Sequence, residues 1–224
     1  MKERKQRTLR LFDRQLLRRA RREIDGRASV VHPAMMYALY APYWARLTSS
    51  QWVQQGAAFA RVRPPVLDGL QLPRDYVAVR FYFSKCFPHT PENQALVRSL
   101  IDALTRETHV VLLGSGVSMD EHHDVPIERS DRVHRVDHLM RPETNLAVQT
   151  AVIGAAQAFI GTYGGFCYLA PLCGVNTIAL YSRRNYYAHH LDFAQQLFSA
   201  IGGGTLTVMD AATSSWMFPQ TNRH

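Results

Sequence analysis

A turn of hydroxyl-bearing residues and glycines, Thr162-Tyr163-Gly164-Gly165, follows a predicted strand and opens a predicted helix. Two glycines let backbone N–H groups approach a ligand closely. The start of a helix presents unpaired N–H donors and a partial positive charge, which favour a phosphate or a diphosphate. Thr162 and Tyr163 add hydroxyl donors. On the turn alone, a tight strand-to-helix connection that serves only packing is an equally good interpretation.

Two cations favour the phosphate interpretation. Arg80 lies within the first predicted strand and Lys85 just beyond its carboxyl end. Because the ligand of a parallel sheet lies outside the carboxyl ends of its strands, both can face the crevice that holds the 162–165 turn. Two cations opposite a helix N-terminus form a diphosphate clamp. The alternatives are a salt-bridged strand residue for Arg80 and a solvated loop cation for Lys85.

The elements that must position these residues alternate between strand and helix from Tyr76 onward. Strands are predicted over residues 76–83, 109–113, 132–136, 158–161, 176–181 and 205–209. Helices are predicted over residues 92–106, 143–157 and 186–200, with a short helix between the 162–165 turn and Gly174. This alternation predicts an α/β fold with a Rossmann-like, doubly wound parallel sheet that is covered on both faces.

Charge separates the front of the chain from this α/β region. The net charge is +8, yet residues 1–75 hold 15 Lys/Arg and 6 Asp/Glu, and the remainder holds 11 and 12. A nucleic-acid binder carries its basic footprint on a folded face, so this distribution argues against nucleic acid as a partner. Apolar residues at three- and four-residue steps predict a helix over residues 4–24. The preferred interpretation of this helix is that its arginines are solvated, and the alternative is that residues 1–27 contact a membrane peripherally.

Two regions are predicted along the chain. Residues 1–74 form a helical segment with an aromatic-rich stretch and a proline-marked linker, and residues 75–224 form the α/β domain. No apolar run is long enough to cross a membrane, and there is no apolar secretory core. Three cysteines without Cys-x-x-Cys spacing indicate reduced thiols. We therefore expect a cytoplasmic protein, with attachment at the inner face of the membrane as the alternative.

Several common sites are excluded by spacing. Gly114-Ser115-Gly116 follows the second predicted strand and lacks the third glycine of a dinucleotide fingerprint. Neither a P-loop nor a Gly-x-Ser-x-Gly nucleophile elbow occurs. The pairs His122-His123 and His189-His190 offer one metal ligand each at best, because adjacent side chains point in different directions. The sequence thus predicts no metal and no cofactor.

Residues 76–181 resemble the C-terminal, donor-binding half of GT-B glycosyltransferases, nearest to the heptosyltransferase-like (family 9-like) enzymes. Ser84-Lys85-Cys86-Phe87-Pro88 is similar to a Lys-x-Trp-Pro element of that family. Residues 137–156 resemble the segment before the donor site, and residues 159–181 resemble an Asp-Thr-Gly-Pro turn, a helix and a Gly-Val-Pro strand start. Three positions differ: Thr162-Tyr163 replaces Asp-Thr, Phe87 replaces the tryptophan, and Cys167 replaces a histidine.

The resemblance implies a metal-independent enzyme that transfers a sugar from a nucleoside-diphosphate sugar to a glycan or lipid-linked acceptor of the cell envelope. The predicted diphosphate-binding residues are Arg80, Lys85, Thr162, Tyr163, Gly164 and Gly165. The predicted nucleoside-binding residues are Gly114, Asp120 and Glu121. The predicted contacts with the sugar or the base are Glu143 and Asn145.

Simpler interpretations are preferred for four of these residues. A solvated acidic loop accounts for Asp120 and Glu121, and capping of a helix N-terminus accounts for Glu143 and Asn145.

A GT-B enzyme takes its acceptor site and catalytic base mostly from an N-terminal half that residues 1–74 cannot form. We therefore expect these residues to be a remnant of that half plus the linker, and we assign no catalytic base. One alternative is a nucleotide-sugar epimerase that uses acid–base residues among Asp120, Glu121 and His122. Another is a truncated, non-catalytic module that binds a partner or a membrane through residues 1–60.

Overall fold

A computed structural model describes residues 14, 15, 18, 19, 22, 40–114, 123–128, 130–141, 143–184 and 188–214. The chain divides into two compact units, Met1–Ala58 and Phe59–His224. In the first unit the described residues from 14 to 22 are helical and exposed, residues 40–44 are helical, and α1 spans Ser50–Gly56. The rest of the predicted helix over residues 4–24 lies outside the described residues. Within the described part of the chain, no helix is both long enough and apolar enough to span a bilayer.

The second unit contains two sheets. The larger consists of β1 (Tyr76–Arg80), β3 (His109–Leu112), β5 (Val133–Arg135), β6 (Ala158–Thr162), β7 (Thr177–Tyr181) and β8 (Leu206–Asp210). Their spatial order is β5-β3-β1-β6-β7-β8 and every pairing is parallel. Numbered along the chain, this is the 3-2-1-4-5-6 order of a Rossmann sheet, so the predicted fold class is confirmed. The smaller sheet is an antiparallel pair of β2 (Tyr82–Phe83) and β4 (His123–Asp124).

Helices cover the sheet on both faces. The helices are α2 (Pro91–Glu107), α3 (Asn145–Gly154), α4 (Gly165–Leu172), α5 (Ala188–Ala200) and α6 (Ala211–Ser214). On one face α2 packs its four-residue-spaced pairs Leu96/Leu100 and Val97/Ile101 against alternate residues of β1 and β3. On the other face α3, α4 and α5 share a core with the intervening residues of the same strands. Burial on both faces explains why these strands are almost continuously apolar.

The predicted strand over residues 76–83 is wrong at its end, because the chain leaves the main sheet after Arg80. The N–H of Tyr82 donates to the Thr162 hydroxyl at 3.1 Å instead of to a neighbouring strand. The Phe81 carbonyl accepts the N–H of Val125 at 2.9 Å, which leads into the β2–β4 pair. The short strand β4 therefore forms in a region where the sequence predicted no strand.

Residues 59–74, which the sequence assigns to a linker, pack on the second unit. Val62 donates its N–H to the Leu172 carbonyl at 2.9 Å, and an Arg61 side-chain N–H donates to the Cys173 carbonyl at 3.1 Å. Leu67, Leu70 and Leu72 pack against the core of the α3–α5 face. The compact unit therefore begins at Phe59. That residues before it are a remnant of an acceptor domain stays a prediction.

Candidate functional site

The strand order reverses between β1 and β6, and the candidate site lies at the carboxyl ends of these two strands. Arg80 and Gly161 are paired in register there. Helix α4 begins immediately beyond, with Gly164 as its N-cap residue and no side chain among the described residues capping it. A Cβ on Gly165 would meet nothing within 4 Å, so space is open in front of the first turn. A reversal point of this kind is where open α/β sheets bind ligands.

Arg80 extends beneath the first turn of α4. Its guanidinium carbon lies 4.4 Å from the centroid of the Phe166 ring, a cation–π contact with the second residue of that helix. One terminal nitrogen donates to the Gln149 side-chain oxygen, and the other lies 3.9 Å from an Asp124 carboxylate oxygen. The side chain is only 14% exposed. Four elements, β1, α3, β4 and α4, therefore converge on one buried cation.

The charge of Arg80 is incompletely compensated. Burial lowers the pKa of its guanidinium from the ordinary value, and the Asp124 carboxylate acts in the opposite direction. A guanidinium nevertheless stays protonated in proteins. Its Nε is buried without a hydrogen-bond partner among the described residues. Arg80 thus maintains a positive potential below the open start of α4, where the helix dipole has the same sign.

Gly164 has a packing reason to be glycine. A Cβ at this position would overlap the Tyr82 hydroxyl, which lies against the N-cap of α4. Tyr82 is 8% exposed, and burial raises the pKa of its phenol. The guanidinium of Arg80 lies 5.8 Å from the centroid of the Tyr82 ring. The absence of a side chain at Gly164 therefore brings a neutral phenol hydroxyl to the helix start, beside the buried cation.

The hydroxyls of Thr162 and Tyr163 are both engaged within the protein. Thr162 is 2% exposed, and its hydroxyl donates to the Tyr82 carbonyl at 3.0 Å while accepting the Tyr82 N–H. The single hydroxyl proton of Thr162 therefore fixes the turn to β2 in this structure, and contact between Thr162 and a phosphate stays a prediction. The Tyr163 hydroxyl is hydrogen-bonded to the Tyr168 hydroxyl. What the turn offers to a ligand is its backbone.

Lys85 is exposed within a tight turn over residues 84–87, in which Ser84 and Phe87 exchange backbone hydrogen bonds of 2.9 and 3.2 Å. The next residue, Cys86, donates its thiol to the Tyr163 carbonyl at 3.3 Å. The lysine-bearing turn is therefore fastened to the glycine turn, and the exposed Lys85 side chain has no partner among the described residues.

The remaining predicted residues differ in whether they contact Arg80 and its partners. A Cβ on Gly114 would lie 3.3 Å from an Asp124 carboxylate oxygen, which places Gly114 next to the partner of Arg80. The Asn145 side-chain oxygen accepts from Gln149, which in turn accepts from Arg80. Glu143, two residues before Asn145, is exposed and makes no contact with these residues in the described part of the chain. Asp120 and Glu121 lie outside the described residues.

Four residues of the group escaped the sequence analysis: Tyr82, Asp124, Gln149 and Phe166. Gln149 carried a signal, because it is a 2%-exposed amide within the otherwise apolar α3 sequence NLAVQTAVIG. Because buried amides have hydrogen-bond partners, Gln149 predicted a polar partner within the fold. Tyr82 and Phe166 carried none, since aromatic residues in a strand and a helix indicate core packing first.

Neither a thiol nor a metal cluster is available in the described part of this site. Burial raises the pKa of Cys167 to about 12, and its thiol donates to the Thr162 carbonyl at 3.1 Å. It stays protonated near neutral pH and is not a nucleophile. No group of three or more His, Cys, Asp or Glu side chains among the described residues is arranged to hold a metal ion.

Comparisons with known proteins do not show the family or the function of this chain. No family model matches the sequence, and no curated protein matches it. A solved structure described as the glycotransferase of kitacinnamycin is similar, with 16% identity and a TM-score of 0.40. The match covers 68% of this chain and 35% of that one, so this chain spans about a third of the solved protein. The functional conclusion therefore has to come from the site.

Proposed function

We propose that the second unit is the donor-binding domain of a glycosyltransferase, and that it binds the diphosphate of a nucleoside-diphosphate sugar at the start of α4. The observation that carries this proposal is the partly buried Arg80 guanidinium beneath the first turn of α4, which no side chain among the described residues caps. Asp124 lies 3.9 Å from one nitrogen of the guanidinium, and an anion at the start of α4 would be attracted both by Arg80 and by the helix N-terminus. A diphosphate is such an anion.

In the proposed complex the parts of the site act from different sides. Backbone N–H groups of Gly165 and Phe166 donate to phosphate oxygens from the helix start, and Lys85 contributes a flexible charge from the adjacent turn. Arg80 acts chiefly through its field from below, because Gln149 and Asp124 hold its terminal nitrogens. The nucleoside is proposed to bind next to Gly114, and Asp120 and Glu121 are proposed as further contacts with it. Asn145 and Glu143 are proposed to border the sugar or the base.

Such an arrangement favours sugar transfer because the diphosphate, which carries two negative charges in the bound donor, gains a third as its bond to the sugar breaks. Donors and cations that are already in place stabilise these charges as the glycosidic bond to the diphosphate breaks. No metal ion is required for that stabilisation. The acceptor is proposed to be a glycan or a lipid-linked saccharide of the cell envelope, and the residue that deprotonates its hydroxyl is not assigned to this chain.

The test measures binding of nucleoside diphosphates and their sugars to the purified chain. Calorimetry and thermal unfolding monitor the binding. A ligand present at a hundred times its dissociation constant stabilises the folded state by about 2.7 kcal/mol. We expect one base to be preferred, and Lys85→Ala to weaken binding about tenfold, which corresponds to about 1.4 kcal/mol. Arg98→Ala removes an equally exposed cation from the middle of α2 and is the matched control.

The outcomes separate the candidate functions. Loss of affinity in Lys85→Ala with full affinity in Arg98→Ala supports the donor site. Equal affinity in all three proteins, or no binding of any nucleotide by a chain that unfolds cooperatively, contradicts it. Epimerised donor sugar formed without an acceptor would identify the epimerase instead.

A further inference from the structure

A cavity of about 470 Å³ opens at the carboxyl edge of the sheet on the α2 face. The first turns of α2, the residues just after β7 and the start of α6 line it. This volume is in the range of small-molecule sites. The cavity shares no lining residue with Arg80 and the residues that contact it. It has no role in the function proposed above.

The start of α2 at this cavity is already neutralised. Pro91 has no N–H, and the Thr90 hydroxyl oxygen and carbonyl accept the N–H groups of Asn93 and Gln94 at 3.2 and 3.0 Å. The Glu92 carboxylate is hydrogen-bonded by its own N–H and by the Thr90 hydroxyl, and these bonds lower its pKa. An anionic ligand would meet a carboxylate here and find no free helix donors.

Asn93 presents a fixed hydrogen-bonding group to the cavity. It is 4% exposed, and its amide nitrogen donates to the Pro88 carbonyl at 2.7 Å and to the Ser182 hydroxyl oxygen at 2.9 Å. Both amide protons are therefore used, and the side-chain oxygen remains an acceptor. Because Ser182 accepts from Asn93, its own proton is available for donation. An acceptor on the buried Asn93 and a donor on the half-buried Ser182 therefore lie side by side.

The remaining lining is apolar with balanced charge. Leu96 and Ala211 are buried and supply apolar surface. Glu92 and the exposed Arg183 contribute one charge of each sign. Paired donor and acceptor groups next to apolar surface, without net charge, match a ring that carries hydroxyls at its edge and C–H groups on its faces.

We propose that this cavity binds a neutral, hydroxyl-rich ring ligand, namely one unit of a saccharide, independently of the diphosphate site. Its position relates the two sites. The N–H groups of Ser182 and Arg183 donate to the Cys86 carbonyl at 2.9 and 3.0 Å, and the Cys86 thiol contacts the Tyr163 carbonyl. A bound saccharide therefore lies on the other side of the turn that carries Lys85.

The experiment uses the full chain without nucleotide. Saturation-transfer NMR and calorimetry are run with glucose, galactose, mannose and N-acetylglucosamine, and with glucuronate as the charged counterpart. Ala212→Trp fills the cavity from an exposed lining position, and Gln196→Trp adds the same side chain to an exposed position of α5. Ser182→Ala removes the donor with little change in volume. Thermal unfolding checks that each variant is folded.

We expect at least one neutral sugar to bind the wild type and Gln196→Trp, and none to bind Ala212→Trp. Loss of one hydrogen bond predicts about tenfold weaker binding in Ser182→Ala. The proposal is overturned if no neutral sugar binds at millimolar concentration, if Ala212→Trp binds like the wild type, or if glucuronate alone binds. Because nucleotide is absent, none of these results depends on the diphosphate site.

Discussion

Two glycine segments stand at opposite ends of α4, and their surroundings differ. Gly164 and Gly165 precede its first turn, where one glycine accommodates the Tyr82 hydroxyl and the other faces open space. Gly203 and Gly204 lie beyond its other end, where Gly204 donates its N–H to the Pro171 carbonyl at 2.9 Å. A Cβ on Gly203 would lie 2.6 Å from that carbonyl, and one on Gly204 would overlap the backbone of Val175.

The difference shows that glycine spacing does not distinguish a site from a packing contact. Gly203 and Gly204, at the amino edge of the sheet, are glycines because backbone atoms fill the space that a side chain would need. Gly164 and Gly165, at the carboxyl edge, are glycines because the space beside them must stay open or admit a polar group. Substitutions at the two ends should therefore affect different properties, stability at one end and ligand binding at the other.

The largest expected effect is on stability. Gly204→Ala places a methyl group against the Val175 backbone, which cannot move without distorting β7, and should lower the free energy of unfolding by about 3 kcal/mol. Gly202→Asn is the control, because Gly202 has a φ of +65° and open space, and asparagine tolerates that conformation. Urea unfolding measures both. Equal stability of the two variants would mean that the packing account of this turn is wrong.

Gly164→Ala should affect ligand binding as well as stability. The new methyl group displaces the Tyr82 hydroxyl from the start of α4, and we expect about tenfold weaker nucleotide binding, which corresponds to about 1.4 kcal/mol. Adding Tyr82→Phe removes the displaced hydroxyl and should restore part of the stability lost in Gly164→Ala. Calorimetric titration and thermal unfolding of the single and double variants form a double-mutant cycle. Strict additivity in unfolding would argue against this contact.

Gly165 gives a more selective comparison. Gly165→Ala meets no atom within 4 Å, so stability should stay the same or rise by about 0.5 kcal/mol, because alanine restricts the unfolded chain. Gly165→Leu projects further into the space proposed for the phosphates and should lower nucleotide affinity at nearly constant stability. A leucine variant that binds nucleotide like the wild type would place the ligand elsewhere.

The smallest effect is a pH dependence of stability that involves His190, in the first turn of α5. Burial lowers the pKa of His190 below its ordinary value of 6.5, and the charge of His189 adds to the shift. As pH falls below about 6.5, the unfolded chain takes up the proton first, so stability that is present above that pH is progressively lost. His190→Phe keeps an aromatic ring against Tyr168 and should flatten the Tm profile between about pH 7 and pH 5. An unchanged profile would assign the effect to another group.

The fold was largely predictable because its signals are local. The apolar runs of β1, β3 and β6 indicate strands that are buried on both faces, and the spacing of Leu96, Leu100 and Leu104 indicates the covering face of α2. Errors occurred where a long-range partner decided the outcome. The strand over residues 76–83 ends early because Tyr82 binds Thr162, a residue 80 positions away in the chain.

The candidate site was predictable only in part. The sequence pointed to Arg80, Lys85 and the glycine turn, since charge and glycine at strand ends are visible in a linear pattern. It could not reveal that Gln149 and Asp124 hold the Arg80 guanidinium, because the three residues come from separate elements. It also pointed to Thr162 as a hydroxyl donor, and only the structure shows that this hydroxyl donates to the Tyr82 carbonyl.

The sequence by itself determined the order of strands and helices, the segregation of positive charge to the front of the chain and the chemical types at the strand ends. Periodicity and charge are local properties that each segment carries with it. Only the tertiary structure decided which polar groups meet, which glycines have room and which hydroxyls are already bonded. Those outcomes depend on distances between segments that are far apart in the chain, and packing of the whole sheet sets these distances.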